Sequence, residues 1–357
     1  DPLEGQMWYN NTTGTLKGVV TTSAWSSASP MITARGMGAS TGTQTATLYT
    51  GGLDNPGGTI FTNTEEYNGS GWSTGGALPV GKYVLGSVGT QTAAVSFGGS
   101  PPAGKVATTA TYDGSSWTAT PNSMNTARDQ LSSAGASQSS ALAFGGRNPS
   151  NVNVTNFEEW NGTSWTALTA IPTALGNAMG SGPETASFFA GGGTSNGGSP
   201  VPTATFQYNG TSLSSGPVIN TGRAAGGSAG DSSAGLIFGG DISATGQVKT
   251  ERYDGTSWTE IADMAVAKIG LGNGAGGSNT SAIASGSYHP GPSLATTEEF
   301  NTSATVITPA TWSAGGNLGT ARGKAGGTLS AASTQSAGLA FGGQIAPGVT
   351  TLTEEYD

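Results

Sequence analysis

The chain has no cysteine, a single histidine (His289) and only 9% charged residues. Without cysteine there are no disulfides, thiolate metal sites or cysteine nucleophiles, so packing must hold the fold. One histidine cannot build a histidine metal cluster. Basic residues number 12 against 21 acidic ones, a net charge of −9. That balance argues against nucleic acid and anionic membrane surfaces as partners, since both demand a positive face. No run approaches the roughly 18 apolar residues that cross a bilayer, and no leader is evident, so membrane insertion is not expected. Neither a metal nor another cofactor is expected. The chain opens at Asp1 without methionine, which reads as processing or as part of a longer product.

Glycine is what the chain has in abundance, 61 residues. Such a content often marks low complexity, but here the glycines are periodic. Ala141-Leu142-Ala143-Phe144-Gly145-Gly146 has close copies ending at Gly98-Gly99, Gly239-Gly240 and Gly342-Gly343. Looser copies end at Gly51-Gly52 and Gly191-Gly192, and a decayed one at Gly286. The period is roughly 47 residues, in the range of repeat architectures. In register behind each pair comes an aromatic: Tyr67, Tyr112, Trp160, Tyr208, Tyr253, Phe300, Tyr356. Trp72, Trp117, Trp165, Leu213 and Trp258 follow the first five, and Trp312 follows the sixth after a stretched gap. Asn68-Gly69, Asp113-Gly114, Asn161-Gly162, Asn209-Gly210 and Asp254-Gly255 lie between, a strong hairpin signal because both residue types tolerate positive φ.

A Gly-Gly pair after an apolar strand, then Tyr, then Trp, at this period resembles the kelch repeat, over residues 21–357. The resemblance implies an all-β protein: a seven-bladed kelch-like β-propeller of four-stranded antiparallel blades. Strand A is the small-residue run, such as Gly86-Ser87-Val88, and strand B ends in Gly-Gly. Strand C ends in the aromatic and strand D carries the Trp. Trp25, in Thr22-Ser23-Ala24-Trp25, reads as a strand D without its first three partners, and Thr353-Glu354-Glu355-Tyr356 as a strand C without its fourth. The expectation is that the N-terminal strand completes the last blade and closes the ring. No helical periodicity is visible.

Residues 1–20 precede the repeats and read as a β-hairpin. The stretch from Glu4 to Lys17, with Trp8, Tyr9 and Leu16, resembles a segment of structural and tail-fibre proteins of bacteriophages, especially those of marine bacteria. It implies an anchor to other virion subunits; the plainer reading is a hairpin covering a sheet edge.

One further feature is periodic. Arg35, Lys82, Arg128, Leu175, Arg223, Lys268 and Arg322 stand at the start of strand A, six basic in seven. They read either as a basic ring receiving a ligand's anionic groups, or as partners of the strand C glutamates (Glu65, Glu158, Glu251, Glu298, Glu354 and their neighbours). On the same face the B–C loops differ between repeats, and variable loops on a rigid frame are where binding resides. Arg147, Tyr288 and His289 on those loops complete the candidate ligand set.

Kelch-type copper oxidases use Cys, Tyr and His ligands, which this chain cannot supply. The paired glutamates recur along the repeats, as a blade edge does and a glycosidase pair does not. The sequence reading is a non-enzymatic virion module, whether tail fibre, receptor-binding or capsid decoration, binding host-surface glycan or protein. The alternative is a bacterial surface or secreted scaffold for protein–protein interaction, and the third a polysaccharide-degrading enzyme. Localisation is the virion surface, or the cell surface for the alternative.

Overall fold

The computed structural model describes residues 7–10, 15–193, 201–242, 245–271, 277–288 and 292–307, and beyond them the short strands Gly326–Gly327, Gly338–Phe341, Gln344–Ile345, Gly348–Val349 and Thr353–Tyr356. Every regular element described is a strand. Two compact units emerge, residues 21–305 and residues 1–20 with 306–357.

Residues 21–305 form the blades of a β-propeller, six among the described residues. Blade 1 runs Ala39–Thr43, Ala46–Thr50, Thr64–Tyr67 and Trp72–Gly75 as strands A to D, each antiparallel to the next. Blade 2 starts at Gly86–Thr90, blade 3 at Ser132–Ser137, blade 4 at Met179–Ser181, blade 5 at Gly227–Gly230 and blade 6 at Gly277–Ser278. Strand B is buried along nearly its whole length, with Leu48, Val95, Leu142, Phe188 and Ile237 all inaccessible. That is why its pattern is a continuous apolar run and not an alternation.

The sequence signals have local causes. Asn68 Oδ1 accepts from the N–H groups of Ser70 and Gly71, and Asp113, Asn161, Asn209 and Asp254 repeat the arrangement. This Asx turn sets the C–D hairpin. The first glycine of each Gly-Gly pair has φ near +60°, and a Cβ there would meet a backbone carbonyl of the following blade: Leu175 O at 2.3 Å for Gly145, Arg223 O at 2.2 Å for Gly191. The second glycine donates its N–H to that same carbonyl, Gly146 to Leu175 at 2.7 Å and Gly192 to Arg223 at 3.0 Å. The pair is thus a blade-to-blade contact that only glycine fits.

The strand D tryptophans also reach between blades. Trp117 Nε1 donates to Thr64 Oγ1 of blade 1 and Trp165 Nε1 to Thr109 Oγ1 of blade 2, both at 2.9 Å. Blade 4 has Leu213 at this place, and the facing residue of blade 3 is Phe157, so a polar pair gives way to an apolar one.

Two expectations are corrected. Among the described residues there are six blades, not seven, and the N-terminal strand Thr15–Ala28 pairs with the sixth repeat's strand Leu294–Ile307, not with Thr353–Tyr356. Ser23 Oγ bonds Thr302 Oγ1 at 3.1 Å, and Trp25 packs on Phe238 and Phe300 while its Nε1 donates to Thr250 Oγ1. The physical reason is a missing turn. After Phe300 comes Asn301-Thr302, with no Asx-Gly, so the strand runs on to Ile307 and makes no hairpin. The fourth place in blade 6 is left for residues 21–28, and Trp25, not Trp312, fills it; Trp312 lies outside the described residues. Blade 6 in turn neighbours blade 1: Gln44 Nε2 donates to Ala282 O and Phe300 O, and Trp72 Nε1 to Thr297 Oγ1.

In the other unit, Met7–Asn10 pairs with the start of Thr15–Ala28, Trp8 opposite Lys17 and Tyr9 opposite Leu16. The last repeat forms a three-stranded sheet of Gly326–Gly327, Gly338–Phe341 and Thr353–Tyr356.

Candidate functional site

The propeller has two ends of different construction. At the A–B turn end, the strand A termini surround a cavity of about 360 Å³, lined by small and polar residues such as Thr41, Ser87, Ser133, Ser181 and Asp231. At the other end the axis narrows to about 30 Å³. There Met37, Val84, Gln130, Asn177, Ala225 and Gly270, one per blade, sit at φ between 47° and 63°. Each donates its N–H to its counterpart in the preceding blade, and Met37 donates to Gly270, at 2.6 to 3.0 Å throughout. Left-handed backbone costs a non-glycine residue about 1–2 kcal/mol. The circuit of six hydrogen bonds over-determines that conformation and plugs this end.

The periodic cations lie two residues before this circuit, inside the blades. Arg35, Arg128 and Arg223 are 0% exposed. Arg35 pairs with Glu65 and donates Nε–H to Gly51 O. Arg128 meets Glu158 at 2.9 Å and Arg223 meets Glu251 at 3.0 Å; in both the hydrogen-bond angles are poor, so the attraction is chiefly Coulombic. Burial pulls the Arg128 guanidinium down to about 10, with Glu158 opposing. Each carboxylate also accepts backbone N–H groups from the loop before strand A: Ile32 and Thr33 on Glu65, Asn125 on Glu158, Asn220 and Thr221 on Glu251, Ala265 and Val266 on Glu298. In blade 6, Lys268 Nζ donates to Thr296 O at 2.8 Å, and burial pulls it down to about 8 against the opposing charge of Glu298.

The second glutamate of strand C faces outward to the next blade. Tyr67 Oη donates to Glu299 and Tyr112 Oη to Glu66, and the Tyr112 phenol is pushed up to about 12, first by burial and then by that bond. The paired glutamates therefore do two structural jobs, one within a blade and one between blades.

Two blades depart from this. Blade 4 has Leu175 for the cation and Phe206 for the glutamate, both buried. Blade 2 keeps the cation, Lys82, but has Ala110 where the glutamate stands. In both, the first of the residues whose N–H groups reach the carboxylate elsewhere, three before the cation, is a proline, Pro79 or Pro172, which has none. Burial alone draws the Lys82 ammonium down to about 7.

The B–C loops cover the plugged end. Arg147 pairs with the buried Asp129 at 3.2 Å, and Lys105 reaches Asn151 of the next loop at 2.6 Å. The Asn55 loop exchanges two hydrogen bonds with Ser293 of blade 6, and Asn153 donates to Gly193 O of blade 4. Tyr288 is half-buried, its N–H on Ile269 O. Arg322 and His289 lie outside the described residues, and of the Trp8, Tyr9 and Leu16 anchor only the backbone pairing is described. The structure thus places Arg147 and Tyr288 on one face and draws the cation ring inward to the glutamates. The axial circuit and the A–B turn glutamines Gln44, Gln91 and Gln138, which bond the preceding blade, had only a faint sequence signal: Gln at the same place in three repeats.

No protein-family model matches the chain, and no curated protein matches it. Among solved structures, one described as the structure of YjhT matches at a TM-score of 0.63 with 11% identity, covering 78% of this chain and 99% of its own. That likeness shows the fold: this is a β-propeller.

Proposed function

We propose that this chain is a kelch-type, non-enzymatic virion structural protein of a bacteriophage, a tail-fibre, receptor-binding or surface-decoration module. Its B–C loop face binds host-surface glycan or protein, and residues 1–20 attach it to neighbouring virion subunits. The observation that carries this is a contrast on one frame. The Gly-Gly contacts and Asx turns recur in blades 1 to 5 and the axial circuit in all six described blades, whereas the B–C loops vary in length and sequence. One carries an Asn55-Pro56 turn, another the small Asp241–Ile242 and Thr245–Gly246 hairpin. Variation confined to one face of a rigid scaffold supports recognition there. The resemblance of the N-terminal segment to phage tail-fibre proteins supports the setting, by analogy.

Side-chain-resolution imaging of the intact source particle tests this. The expected result is the chain at the particle surface, with residues 1–20 against another subunit and the B–C loops outward. A chain absent from particles, or with the B–C face covered, overturns it. A specific observation favours a protein-interaction scaffold as second reading: Ile32, Val80, Val152 and Val218 are 57–62% exposed on loops of that face.

A further inference from the structure

Blade 2 holds a buried cation without its anion. In blades 1, 3, 5 and 6 the basic residue is matched by a strand C glutamate, and in blade 4 both partners are apolar. Among the described blades only Lys82 faces an alanine. Its side chain belongs to a residue 4% exposed, and among the described residues no carboxylate or carbonyl takes a hydrogen bond from its Nζ. Ala110 leaves unfilled the volume that a glutamate side chain takes elsewhere. The result is a cavity of about 130 Å³ lined by Leu78, Val80, Lys82, Val106, Ala110 and Ala119.

The chemistry of this cavity is one ammonium in a wall that is apolar apart from Thr108 and Thr109. A buried charge lacking a partner is costly, and an anion entering the cavity removes that cost. An apolar cavity of roughly 150 Å³ accepts benzene, so this one has room for about five or six non-hydrogen atoms. We propose that the blade 2 cavity binds a short-chain aliphatic monocarboxylate, its carboxylate on Lys82 Nζ where the other blades place a glutamate and its alkyl stem against Leu78, Val106 and Ala119. Pro79 fits this reading. It removes the backbone donor three residues before the cation that Glu65, Glu158, Glu251 and Glu298 each use, so the site is shaped for a ligand held mainly by the lysine.

The test is thermal unfolding of the full chain at pH 7 with sodium propionate as probe, and with propionamide and sodium chloride as controls. At about tenfold excess over a roughly millimolar Kd, propionate is expected to raise Tm by about 2 °C. Propionamide, the neutral isostere, and chloride at equal ionic strength should not. Two variants remove the site in opposite ways: Ala110→Glu supplies the carboxylate internally, and Lys82→Met removes the cation. Both should lose the propionate-specific shift. An equal shift in wild type and both variants, an equal shift with propionamide, or no shift with wild type up to about 50 mM propionate overturns the proposal; the wild-type arms decide it even if a variant does not fold.

Discussion

At the same place in adjacent blades, blade 3 buries Arg128 against Glu158 and blade 4 buries Leu175 against Phe206. The surrounding backbone is shared: Gly146 and Gly192 make the same inter-blade bond, and Gln130 and Asn177 the same axial one. The fold thus accepts a charge pair or an apolar pair, provided both members change together. A buried ion pair is seldom a net gain over well-packed apolar residues, but half of one is a heavy loss. The same rule appears at the blade boundary, where Trp165–Thr109 is polar and Leu213–Phe157 is not. Blade 2, with Lys82 opposite Ala110, is where the rule is broken.

The comparison can be broken most sharply by removing half of the blade 3 pair. Glu158→Ala should cost about 3–5 kcal/mol in urea unfolding, because Arg128 stays charged and buried. The triple variant Asn125→Pro, Arg128→Leu, Glu158→Phe writes blade 4's solution into blade 3 and should stay within about 2 kcal/mol of wild type. A triple variant as unstable as the single one would show that blade 3 requires the charges themselves.

Next in size is the shared frame. Gly145→Ala forces a Cβ to 2.3 Å from Leu175 O at φ +59° and should cost about 3 kcal/mol. Gly114→Ala, in a C–D turn with φ +91° and its nearest neighbour at 3.4 Å, should cost about 1 kcal/mol. Equal losses, read as Tm shifts, would contradict the assignment of Gly-Gly to blade contact.

Blade 2 gives a pH signature. The Lys82 ammonium is drawn from 10.5 to about 7 in the folded state, so between those values the unfolded chain holds more protons. Stability should therefore rise with pH from about 7 to 10.5, the cost of the buried charge persisting in full below 7. Lys82→Met should flatten that rise and be more stable than wild type at pH 7, and Ala110→Glu should flatten it too. The Lys268 ammonium, held at about 8 with Glu298 beside it, contributes a smaller rise of the same sign. Unfolding titrations across this range, on wild type and Lys82→Met, check it.

The smallest effect is at the blade boundary. Thr109→Val removes the acceptor of Trp165 Nε1 and should cost about 1 kcal/mol. Adding Trp165→Leu should cost less than the sum of the two single changes, because Leu213–Phe157 shows that the boundary tolerates loss of both partners.

Much of the frame was legible because its causes are local. Asx-Gly turns, apolar strand B runs and the terminal aromatic of strand C each follow from a few consecutive residues. The partnership of the periodic cations with the strand C glutamates was one of two readings open to the sequence, since spacing alone does not say whether a side chain points into a blade or out of its mouth. Burial to 0% for Arg35, Arg128 and Arg223 draws them inward. The B–C face keeps Arg147 and Tyr288 as candidates, and what they bind is a matter for the tests above.

Strand order within a blade, the hairpins and the glycine positions are legible in the residues alone, since these depend on φ preferences and on side-chain size. How many blades form among the described residues, and which one residues 21–28 complete, emerges from the folded pairing. Within a blade consecutive strands pair, whereas Thr15–Ala28 meets Leu294–Ile307 from the far end of the chain, and Trp25 carries the same pattern whichever open edge it joins. Asn301-Thr302, in place of an Asx-Gly turn, leaves that edge open in the sixth repeat.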